Sequence, residues 1–67
     1  MYTQYKVVYY EDVGKYFVHA KKPFGLWVQL SKPYKTKRQA CIRMNMLALG
    51  CDYKTAIEIY NEDIGRL

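Results

Sequence analysis

Residues 5–31 read YKVVYYEDVGKYFVHAKKPFGLWVQLS, and the punctuation of this stretch decides the fold. Three runs, 5–10 (YKVVYY), 15–20 (KYFVHA) and 26–31 (LWVQLS), are rich in the β-branched and aromatic residues that suit a pleated surface. Glu11-Asp12-Val13-Gly14 supplies a first hairpin loop, with Gly14 free to take positive φ. Lys21-Lys22-Pro23-Phe24-Gly25 supplies a second, proline presetting one φ and glycine the left-handed position. A four-residue first loop sets Val7 opposite Val18 and Tyr9 opposite Tyr16. A five-residue second loop over 21–25 sets Val18 opposite Val28 and Tyr16 opposite Leu30.

Side chains alternate across a strand, so this register sorts the sheet into two faces. One collects Tyr5, Val7, Tyr9, Tyr16, Val18, Ala20, Leu26, Val28 and Leu30, nearly all apolar, and is the expected core face. The other collects Lys6, Val8, Tyr10, Lys15, Phe17, His19, Trp27 and Gln29. An antiparallel sheet usually shows water a polar face, and this one mixes aromatic rings with positive charge.

Beyond the sheet, Lys32-Pro33-Tyr34-Lys35 breaks the strand pattern. Thr36 with Gln39 forms a capping-box start, and the helix it opens runs to Leu49 and stops at Gly50. Leu47, Ala40, Met44, Ala48 and Cys41 make one apolar stripe on it. Leu49, Ile42 and Met46 make a second, which needs a cover of its own. Asp52 is the expected N-cap of a second helix over 53–63, ended by Gly65, with Tyr53, Ala56, Ile57, Ile59, Tyr60 and Ile64 on one side. Its cover is either the first helix or a twin subunit, a homodimer through Ile42, Met46 and Leu49. The expectation is a single α+β domain over residues 1–67: a three-stranded antiparallel sheet followed by two helices, β-β-β-α-α.

The chain's 67 residues are too few for two cores, and their 51% apolar content opposes disorder. Cys41 and Cys51 are the whole thiol inventory, fewer than a disulfide scaffold of this length carries, so free thiols and a cytoplasmic setting are expected. No run approaches the roughly 18 apolar residues of a membrane span, and no basic segment followed by an apolar run suggests a signal peptide. The charge of +5 is unevenly placed. Residues 1–43 hold nine Lys or Arg against Glu11 and Asp12 alone, whereas residues 44–67 hold Lys54 and Arg66 against four acids. A basic front half points to an anionic partner, although plain solvation explains the same excess.

Catalysis finds little to work with. His19 is the only histidine, no carboxylate lies near it in the proposed sheet, and Cys41 has no acid or second histidine at an activating spacing. Cys41, Cys51 and His19 match no zinc spacing, and no glycine-rich phosphate cradle is present. The expectation is a non-enzymatic module without cofactor or metal. Proteins that hold single strands combine cationic grooves with aromatic platforms for bases. Trp27, Phe17 and Tyr10 interleaved with Lys6, Lys15 and His19 fit that need. Lys21 and Lys22 in the hairpin, and Lys35, Lys37 and Arg38 at the helix start, suit phosphates. The same aromatic and basic surface suits a protein partner. The rival expectation is therefore a small viral or bacterial accessory protein that inhibits or modulates a larger machine of nucleic-acid metabolism. A plain structural alternative has Trp27 and Phe17 covered by the terminal segment or a second subunit.

Three strands followed by a helix that begins YKTKRQACIRMNMLALG (34–50) resemble the sheet-plus-helix DNA-binding domains of integrase arm-binding and ethylene-response type. The likeness rests on Tyr34, Thr36 and Ala40 at the helix start. It implies a sheet lying in the major groove, with Lys6, Lys15 and Trp27 as contact candidates. The strands lack that family's arginines, and the second helix is extra. A helix-turn-helix reading of LGCDYKTAIEIY (49–60) meets a second helix carrying Glu58, Glu62 and Asp63, which phosphates repel.

Overall fold

A computed structural model describes residues 2–65 and gives the order β1 (Gln4–Tyr10), β2 (Lys15–Lys21), β3 (Trp27–Gln29), α1 (Lys37–Leu49) and α2 (Tyr53–Gly65). The strands form one antiparallel sheet in the order β1-β2-β3. The fold is the α+β, β-β-β-α-α arrangement that the sequence pattern implies.

The first hairpin keeps the expected register, Val7 opposite Val18 and Tyr9 opposite Tyr16. Gly14 takes φ 63° and closes the turn by donating its N–H to the Tyr10 carbonyl at 2.8 Å. The second hairpin departs from expectation by two residues, with Ala20 opposite Val28 and Lys21 opposite Trp27. Its loop still has five residues, but they are 22–26. Pro23 sets the φ of the second position of a turn, so the turn is Lys22–Gly25, closed by Gly25 N–H to the Lys22 carbonyl at 2.9 Å. Moving a loop by one residue slides the pairing by two, which leaves the side chains that stay in the sheet on their predicted sides.

Leu30 donates to the Val18 carbonyl at 2.9 Å, and then the chain bulges over residues 31–33 before Tyr34 pairs with Tyr16 through two 2.8 Å backbone bonds. Tyr34 thus takes the place expected for Leu30. The bulge would leave the buried Val18 N–H without a ladder partner. The Ser31 hydroxyl accepts it at 2.9 Å and donates in turn to the Lys32 carbonyl. Ser31 is the one polar side chain among the buried residues described.

Val18 and Ala20 are fully buried on the inner sheet face, beneath α1, which packs on β1 and β2. Two residues expected in that core are not there: Tyr9 lies at the open edge, 50% exposed, and Leu26 belongs to the loop, 60% exposed. Thr36 caps α1 by accepting the Gln39 N–H, and Gly50 ends it in the left-handed conformation at φ 64°. Asp52 caps α2 by accepting the Thr55 N–H at 2.9 Å. The Thr55 side chain, and secondly this backbone bond, hold the Asp52 carboxyl below the usual carboxylate range.

The second helix packs on α1 and on no strand. Asn45 donates to the Ala56 carbonyl, Arg38 lies 5.7 Å over the Tyr60 ring, and Ala56 is fully buried between the helices. Both stripes of α1 find cover inside the chain, since Ala40 from one and Ile42 from the other are buried. Ile42, expected in a dimer stripe with Met46 and Leu49, therefore offers nothing to a twin. Of the three only Leu49 is exposed. No described helix is long and apolar enough to cross a membrane.

Candidate functional site

The alternation of β1 and β2 puts Lys6, Val8 and Tyr10 beside His19, Phe17 and Lys15 on the face turned away from α1. Trp27 and Gln29 extend this face onto β3, opposite Lys21 and His19. With α2 docked on α1, no described element lies over it.

The face is organised by its own contacts. Tyr10 leans back along β2, its ring 4.7 Å from Phe17 and 5.7 Å from His19, and its hydroxyl shares a 3.1 Å hydrogen bond with His19 Nε2. Lys6 reaches across β2 to set its ammonium 4.0 Å over the Trp27 ring, a cation–π contact. Two aromatic centres result, one on Phe17 and Tyr10 and one on Trp27. Four residues along the strand and one strand across, they are roughly 14 Å apart by strand geometry. Partial burial, and secondly the Lys6 charge, hold the His19 pKa below its ordinary value. The imidazole is accordingly neutral at physiological pH, an aromatic and hydrogen-bonding surface more than a cation.

The predicted site residues fall into two groups. Lys6, Tyr10, Lys15, Phe17, His19, Trp27 and, by the new register, Lys21 share the outer face, with Lys22 at its end in the hairpin. Lys37 and Arg38 do not join them, because α1 covers the opposite face; Lys35 precedes α1 and follows Tyr34, whose bridge to Tyr16 sets residue 35 opposite Lys15. Arg38 turns to Tyr60, and Lys37 lines a groove with Cys41, Tyr60 and Ile64. Burial raises the Cys41 thiol pKa against the smaller opposing effect of Lys37, which keeps the sulfur protonated and a poor nucleophile.

Sequence reasoning named the lysines of the second hairpin and passed over its tip. Phe24 is 91% exposed, standing beside the exposed Leu26. The signal was the Pro-Phe-Gly triplet, since a turn between proline and glycine projects its middle side chain into solvent. A second groove of about 580 Å³ lies between the bulge and the helices, floored by Leu30, Ile42 and Met46 and flanked by Lys32 and Arg43.

No protein-family model, curated protein or solved structure matches this chain, so the likeness to arm-binding and ethylene-response domains rests on element order and the Tyr34, Thr36, Ala40 spacing alone.

Proposed function

We propose that this chain is a non-enzymatic binding module that holds single-stranded nucleic acid on its outer sheet face. The observation that carries the reading is the uncovered face on which Trp27, Phe17 and Tyr10 stand among Lys6, Lys15 and Lys21. Bases already stacked in a duplex cannot reach such rings, whereas splayed bases can, which favours single strands. A base arriving on Trp27 displaces the Lys6 ammonium from the ring, and the freed cation then meets the phosphate of the same nucleotide.

The test is a salt-titrated binding assay with labelled single- and double-stranded oligonucleotides, read by anisotropy and by the fluorescence of the single tryptophan. Single strands are expected to bind more tightly, to quench Trp27 and to weaken with salt. Trp27→Ala is expected to lose about 1–3 kcal/mol, the worth of one stacked base. Absence of binding to either form at low salt would sink the proposal.

The exposed Phe24 and Leu26 favour a second reading, an accessory protein that inhibits or modulates a larger protein machine, because exposed aromatic anchors are common interface centres. Phe24→Ala separates the two. Nuclease-resistant association with a purified partner, lost in Phe24→Ala and kept in Trp27→Ala, would support it over the first.

A further inference from the structure

The free edge of β1 points to a second copy of this chain. Tyr16 uses both backbone groups on Tyr34, and the Val18 carbonyl accepts from Leu30, so even-numbered residues of β2 face β3. Odd-numbered residues of β2 consequently bond to Gln4, Lys6, Val8 and Tyr10. That leaves the N–H and C=O groups of Tyr5, Val7 and Tyr9 directed outward along seven residues, and no described strand meets them. Proteins usually blunt such an edge with proline, a bulge or a charge. Here there is no proline or bulge, and the one charge, Lys6, is drawn back over Trp27 on the far side of the sheet.

We propose that two copies pair antiparallel through β1 about a dyad at Val7, forming one six-stranded sheet. This register alone uses all three outward residues, Tyr5 opposite Tyr9 of the twin and Val7 opposite Val7. It sets Lys6 opposite Val8, whereas centring on Lys6 would oppose two ammonium groups. Charge selects the occupant. The dyad brings the acidic hairpin of one copy, Glu11 and Asp12, beside Thr3 of the other, whose backbone is tied to Lys21 next to Lys22. The only acids of residues 1–43 thus approach the basic hairpin of the twin, and symmetry makes the contact twice. Because α1 lies over β1 and β2, the two α1 helices come about 10 Å apart at a strand spacing of about 4.8 Å, a helix-packing distance.

Light scattering and sedimentation over a wide range of protein concentration test this. The 8.0 kDa chain is expected to dimerise reversibly. Val7→Pro removes an outward N–H that the monomer's own ladder does not use, and the Glu11→Lys, Asp12→Lys double variant reverses charge in a solvent-exposed turn. Each is expected to raise the dimer dissociation constant at least tenfold while circular dichroism stays unchanged. If Val7→Pro perturbs folding, the turn variant decides alone. A wild type that remains monomeric at millimolar concentration, or a dimer indifferent to the turn variant, overturns the proposal. Oligonucleotide binding by a strictly monomeric wild type would remove the dimer and leave the nucleic-acid reading standing.

Discussion

Ser31 shows how much of this small fold rests on one hydroxyl. Its Oγ replaces the ladder carbonyl that the bulge withholds from Val18 N–H, in a part of the sheet that water does not reach. Ser31→Ala leaves that donor unpaired, an expected loss of about 1–3 kcal/mol. For a domain of this size each 1 kcal/mol lowers Tm by about 4–8 °C, which thermal unfolding by circular dichroism would register. His19 gives a pH dependence of defined sign. Its pKa is depressed in the fold, while the unfolded chain takes the proton at about 6.5. Stability is therefore full above about 6.5, falls as pH drops below it, and levels off once folded His19 itself protonates. Urea unfolding at pH 7.5 and 5.5 is expected to show this decline in the wild type and a smaller one in His19→Gln.

Among the elements, what the sequence made legible was what local chemistry dictates. Thr36, Gly50 and Asp52 carry their own structural instructions, and each sits at the helix end it marks. Gly50→Ala forces a Cβ into the left-handed region at φ 64°, where open space surrounds it, so the expected loss of about 1 kcal/mol by thermal unfolding is purely conformational. The faces of the strands were legible for a different reason: alternation survives a two-residue slide, so Lys6, Phe17 and Trp27 stay together although the β2–β3 register moved. The slide itself was hidden because loop length alone does not say which residue opens the turn, and Pro23 decides that. Tyr34 across from Tyr16 was illegible, since it needs a bulge whose stability depends on the Ser31 hydroxyl reaching a distant N–H. Whether the outer face was open was equally hidden, because it depends on where α2 docks.

The whole molecule is a stack of sheet, α1 and α2, and that stacking divides its positive charge. Lys15 belongs to the open face, whereas Lys37 belongs to the helix layer behind the sheet. Lys15→Gln is expected to lower the slope of log affinity against log salt by about 1, and Lys37→Gln to leave it unchanged, in the oligonucleotide titration described above. Equal effects would place the polyanion elsewhere. The stack is also ordered along the chain: β2 meets β1, β3 meets β2, α1 closes on strands already formed, and α2 meets α1 alone. A chain leaving the ribosome can therefore complete each layer on the one made before it. Only the inner sheet face waits for a later segment, and it waits for the very next helix.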